Sequence, residues 1–178
     1  MVVIKLLLKD LHSLSIIGIN IFICALWHFL IFVICITIDD SFFDYKKACY
    51  KQKKWENNGK WYDKTLKIKK WKNVIPQHIG KDGFSKRHFE SLSIEYIDQF
   101  ILETCRGEWN HKYCTIYSII AIIISPFWYG LFLGLITFIF NLACIAIQRY
   151  NRIRLLKVKL RLTKDVTEKN NLQYDSSL

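Results

Sequence analysis

The chain has 178 residues, 52% hydrophobic and 15% aromatic, and its 26 Lys+Arg against 15 Asp+Glu leave it at +11. That length suits one domain rather than two, and the seven Gly and two Pro exclude collagen-like and low-complexity chains. Two long stretches carry none of the charge, a composition that points to a membrane protein with basic water-facing segments.

The first stretch, Ser13 to Ile38, spans 26 residues without Asp, Glu, Lys or Arg. As a helix it would be about 39 Å long, enough for a hydrocarbon core of roughly 30 Å. It exceeds the apolar core of a cleaved leader and lacks a small-residue cleavage site, so a retained anchor is expected. His28, alone on this span, reads as a packing or hydrogen-bonded histidine.

Residues 39–112 follow as a water-facing region. Phe42, Tyr45, Cys49 and Tyr50 among Lys46, Lys47, Lys51, Lys53 and Lys54 suggest an amphipathic basic helix lying on lipid headgroups. Asn57-Asn58-Gly59 should break it, and Leu66 and Ile68 among lysines suggest a short strand or extended segment. Ser93 is placed to cap a helix with Ile94, Ile97, Ile101 and Cys105 on one face.

That helix leads into Glu103-Thr104-Cys105-Arg106-Gly107-Glu108-Trp109-Asn110-His111. Glu108 and His111 form an i,i+3 pair, as do Glu103 and Arg106. A carboxylate bonded to a histidine fixes its tautomer and raises its basicity, as a general base requires; two surface ion pairs at a membrane junction are the plainer alternative. His88, after Arg87, is a second possible base. Glu108-x-x-His111 is half of a carboxylate-bridged di-metal motif, but there is no second copy, so no metal is expected.

The second charge-free stretch, Tyr113 to Gln148, spans 36 residues interrupted by Ser125-Pro126-Phe127-Trp128-Tyr129-Gly130. Two helices near 110–126 and 130–149 account for it, with one long kinked helix as the alternative. The two-helix reading gives a mostly α, integral membrane fold: an N-terminal span (13–38), a cytoplasmic region (39–112), a two-helix hairpin (113–148) and a basic cytoplasmic tail (149–178). The lysines after the first span and the basic residues from Arg149 to Arg161 place both segments in the cytoplasm and the N-terminus outside.

The basic residues flank the spans and carry no nucleic-acid signature, so anionic membrane lipid is the expected partner. Lys outnumbers Arg by 20 to 6, which singles out Arg87, Arg106, Arg149, Arg152, Arg154 and Arg161 as forks for carboxylate or phosphate, with snorkelling the plainer account of Arg161. The six cysteines form no C-x-x-C pair, so neither a disulfide framework nor a zinc site is expected. No nucleophile elbow, phosphate loop or dinucleotide fingerprint is present.

Four runs occur together in order: Lys69-Lys70-Trp71-Lys72-Asn73-Val74-Ile75-Pro76, Lys86-Arg87-His88, the Glu103–His111 run, and Gln148-Arg149-Tyr150-Asn151-Arg152-Ile153-Arg154-Leu155. Together they resemble the glycosyl-4,4'-diaponeurosporenoate acyltransferases over about Trp55 to Leu155. The resemblance implies a membrane enzyme that esterifies the sugar of a glycosylated carotenoid or related glycolipid with a fatty acid, needing no cofactor. The donor expected is an acyl thioester, acyl-CoA or acyl carrier protein. His111 or His88 would be the base, with Glu108 and Glu103 beside it. Arg87, Arg106, Arg149, Asn151 and Arg152 would hold substrate. A non-enzymatic accessory protein that docks a partner enzyme or lipid is the alternative.

Overall fold

The computed structural model describes residues 13–75 and 93–175, and the described residues are helices and turns without a β-strand. Helix α1 (Ser13–Thr37) is followed by 3₁₀ turns at Asp40–Phe43 and Lys54–Gly59, the short α2 (Lys60–Lys64) and a 3₁₀ turn at Ile68–Lys70. Then come α3 (Ile94–Cys114), α4 (Tyr117–Ile124) and α5 (Phe127–Asp175). The chain forms two compact units: 1–39 with 106–146, and 40–105 with 147–178.

The first unit holds α1, α4 and the part of α5 up to residue 146. Both α1 and the Phe127–Lys164 part of α5 are long and apolar enough to cross a membrane. Their large side chains stay outward, Phe22 at 64% exposed, Phe132 at 65% and Trp128 at 75%, which suits lipid and not water. Ser125 takes an extended backbone at the end of α4, the conformation a following proline enforces. Here α4 and α5 touch backbone to backbone. A Cβ added at Gly130 would lie 2.5 Å from the Ala121 carbonyl oxygen, and one at Gly134 would lie 2.6 Å from that of Ser118. The paired numbers run in opposite directions, so the two helices are antiparallel and the G-x-x-x-G spacing lets them approach this closely.

The second unit is built on polar side chains and aromatics. Ile97, Phe100 and Ile101 of α3 form its apolar cluster with Leu155 of α5. Ser93 caps α3 as expected, its Oγ accepting from the Tyr96 N–H at 3.1 Å. The break at 57–59 is also present, with Asn57, Asn58 and Gly59 all at positive φ.

Two local expectations are corrected. No amphipathic helix forms over 42–54. The Asp44 carboxylate instead accepts from the Lys46 N–H at 2.8 Å, and the Lys47 ammonium donates to the Phe42 carbonyl at 2.8 Å. Such local side-chain bonds compete with the helical ladder. No strand forms at Leu66 and Ile68: Lys67 is left-handed and a 3₁₀ turn follows. Beyond residue 149 the chain continues as helix to Asp175, because Gly134 is its last Gly or Pro and good helix formers follow.

Candidate functional site

Within the first unit, polar side chains meet at the level of α3's last turn. The His111 Nδ1 lies 3.0 Å from the Asn141 Oδ1, and the Asn141 Nδ2 lies 3.4 Å from the His28 Nε2. Three helices thus supply the row: α3, α5 and α1. Asn141 is fully buried and the two histidines are half-buried.

The polarity of this row follows from its ends. Asn141 Nδ2 donates to the Thr137 carbonyl at 3.0 Å, which fixes the amide's orientation, so its Oδ1 must accept from His111 Nδ1–H. In the neutral ring the basic nitrogen of His111 is therefore Nε2. His28 Nδ1 lies 2.8 Å from the Cys24 carbonyl and must donate to it, leaving Nε2 to accept from Asn141. His28 is a hydrogen-bonded histidine, as its isolation on an apolar helix implied. Fully neutral partners satisfy one another where an ion would be costly.

A cleft of about 450 Å³ adjoins this row, lined by α1, α4 and α5, with His28 and Thr137 among otherwise mostly apolar walls. A second buried bond set ties α1 to α4 and its end. The Tyr117 hydroxyl donates to the Asn20 carbonyl at 2.6 Å, and the Ser125 hydroxyl donates to Asn20 Oδ1 at 3.0 Å.

The other residues singled out in the sequence are distributed between the units. Arg106 Nη1 donates to the Cys35 carbonyl at 3.2 Å. Cys35 lies in the last turn of α1, so a cation meets the negative end of the helix dipole. Glu108 is buried nearby in sequence on α3. In the second unit the buried Glu103 accepts from Gln99 at 3.3 Å. Arg152 is buried, with Nη1 3.6 Å from the Cys105 sulfur and its guanidinium over the Tyr50 ring. Asn151 is half-buried on α5. Arg87 and His88 lie outside the described residues.

Arg149 forks onto Glu56: Nε donates to Oε1 at 2.7 Å and Nη2 to Oε2 at 2.9 Å. The Tyr62 hydroxyl also donates to Oε1 at 2.6 Å, and the Lys53 N–H donates to Oε2. Burial pushes the Glu56 carboxyl up, but these donors outweigh it and hold it below the usual carboxylate value. The Tyr62 phenol is pushed up by burial and by Glu56. One residue on, the Tyr150 hydroxyl donates to Asp63 at 2.9 Å, and Lys69 pairs with the same carboxylate at 3.0 Å. Arg149 and Tyr150 thus hold the turns at 49–63 against α5.

Sequence reasoning missed Asn141 and Glu56. An amide inside a charge-free span was a signal for the first; the second gave none.

A family model described as glycosyl-4,4'-diaponeurosporenoate acyltransferase matches residues 46–161, a range that includes His111 and Asn141. The glycosyl-4,4'-diaponeurosporenoate acyltransferase of Staphylococcus aureus strain MRSA252 is 30% identical over 139 residues, covering 75% of this chain and 81% of that protein. The proteins of the same name from strains RF122 / ET3-1 and Newman are 29% identical over the same shares. No solved structure matches.

Proposed function

Because the chain belongs to the glycosyl-4,4'-diaponeurosporenoate acyltransferase family and is an acyltransferase, we propose that it esterifies a sugar hydroxyl of a glycosylated carotenoid or related terpenoid glycolipid. The accessory-protein alternative falls with that membership. The acyl group comes from a thioester, acyl-CoA or acyl carrier protein, approaching from the cytoplasm. The observation that carries the reading is the His111–Asn141 bond in an apolar setting, since it leaves Nε2 as the basic nitrogen.

His111 Nε2 takes the hydroxyl proton as the sugar oxygen attacks the thioester carbonyl carbon. The tetrahedral oxyanion then collapses: the C–O bond stays, the C–S bond breaks, and the proton passes from His111 to the departing thiolate. Asn141 holds the required tautomer, the duty the sequence suggested for Glu108. Arg149 is committed to Glu56 and Arg106 to the end of α1, so we assign each to packing within its own unit and not to gripping donor phosphates. His88 is the competing base.

His111→Ala should lose at least about a hundredfold in acyl transfer at normal membrane abundance, within the range general-base assistance supplies. The measurement is ester formation from a carotenoid glycoside and palmitoyl-CoA in membranes. Near-full turnover of that variant, with His88→Ala inactive, would move the base to His88.

For topology, the proposal is three spans: α1, the end of α3 with α4, and α5. The helix break at Ser125-Pro126 and the basic residues that follow the first and last spans support it. A lone cysteine at Lys47 or Lys157, in a chain stripped of its own cysteines, should resist labelling from outside intact cells. Ready labelling at either position rejects the arrangement.

A further inference from the structure

We propose that the cleft among α1, α4 and α5 is the fatty-acyl subsite, entered at His28 with the methyl end of the chain directed towards Ile21 and Leu133. The choice of occupant rests on the acyl-transfer reading; the site and its direction rest on geometry. Along α1, Arg106 marks the Cys35 level and His28 lies seven residues deeper, about 10 Å at the helical rise. From there the cleft runs further the same way: Ile21 and Ala25 form one wall, and Leu133, Ile136 and Phe140 another. Asn20 and Tyr117, joined by their hydrogen bond, line its far end.

The His111–Asn141–His28 row therefore stands at the end of the cleft nearest the charged level of Arg106. A thioester whose polar head stays at that level brings its carbonyl to the row and its chain into the cleft. The other apolar substrate fits less well. A carotenoid glycoside has a sugar ring between its polyene and its reacting hydroxyl, so its polyene does not begin at the base. An acyl chain begins at the reacting carbon itself. The volume of about 450 Å³ lies in the range of small-ligand sites. His28, by this account, is a positioning residue at the mouth of the subsite and His111 remains the base.

The test uses the full chain in membranes and palmitoyl-CoA analogues with a photoreactive diazirine. A diazirine midway along the chain should label the Ile21 or Leu133 level, and one beside the carbonyl the His28 level, as mapped by peptide mass spectrometry. Excess palmitoyl-CoA should abolish both labels and excess phosphatidylglycerol should not. Ala25→Phe, which fills the cleft, should lower palmitoyl relative to acetyl transfer by about tenfold, as if two methylenes lost their burial. Equal displacement by phosphatidylglycerol overturns the proposal in favour of a groove for bulk lipid, as does labelling outside the cleft. An unchanged palmitoyl-to-acetyl ratio in Ala25→Phe overturns it too. If the wild type labels as described but acylates no glycoside, the acceptor assignment fails and the acyl subsite stands.

Discussion

The polar row of the first unit and the ion pairs of the second are satisfied by different means. In the apolar first unit the partners of the central row are neutral: imidazole to amide, and beside them phenol and hydroxyl to a second amide. In the second unit they are ions, with Arg149 forked onto a fully buried Glu56 and Lys159 paired with Asp98. Full charges need compensation by water or by several hydrogen bonds, and Glu56 has four donor contacts. Inside a lipid-facing bundle neutral groups can satisfy each other at lower cost, and a neutral histidine is also the form that can accept a proton.

That contrast is open to direct attack. The largest effect should come from the second unit. Arg149→Ala strands the Glu56 carboxylate in a buried place, and breaking such a pair costs about 3–5 kcal/mol. Thermal unfolding in detergent should show the loss at neutral pH. Acid should shrink it. Glu56 in the intact protein titrates below its ordinary value of 4.5, so its contribution is fully present above that value and is lost as pH falls through the lowered one. The stranded carboxylate of the variant, raised by burial, gains its proton earlier and is relieved sooner. A gap between the two proteins that stays constant from neutral pH to about pH 4 would mean that Glu56 is not the group at stake.

A smaller effect is expected where the first unit depends on contact and not on charge. Gly130→Ala places a methyl group against the Ala121 carbonyl, so α4 and α5 must separate, at about 1–3 kcal/mol for overpacking. This loss should be indifferent to pH. Gly18→Ala on α1 is the comparison, since nothing lies within 4 Å of the added atom. It should be neutral or stabilise by about 0.5–1 kcal/mol through helix propensity. Equal behaviour of the two variants in a thermal scan would remove the close α4–α5 contact as a source of stability.

Local chemistry made much of the chain legible from its sequence. The charge-free run from Ser13 had to be helix to satisfy its backbone, and α1 ends at Thr37, within a residue of the run's end. Ser93 announced the start of α3, Asn57-Asn58-Gly59 a left-handed break, and Pro126 the end of α4. Each depends on a backbone preference that acts within a few residues. The helix expected over 42–54 failed for the complementary reason: Asp44 and Lys47 found nearby backbone groups that no periodicity count includes.

The partners were decided by tertiary structure alone. Glu108 is three residues from His111 and could be named from spacing, whereas the amide that bonds His111 Nδ1 lies on another helix, at Asn141. Arg149 carried the marks of a substrate-gripping arginine, and its carboxylate is 93 residues distant at Glu56. The cleft has no sequence signature, since it is a gap between faces of three helices that are each merely apolar. Helix ends follow from local backbone constraints, whereas pairings between side chains far apart in sequence exist only after packing has brought them together.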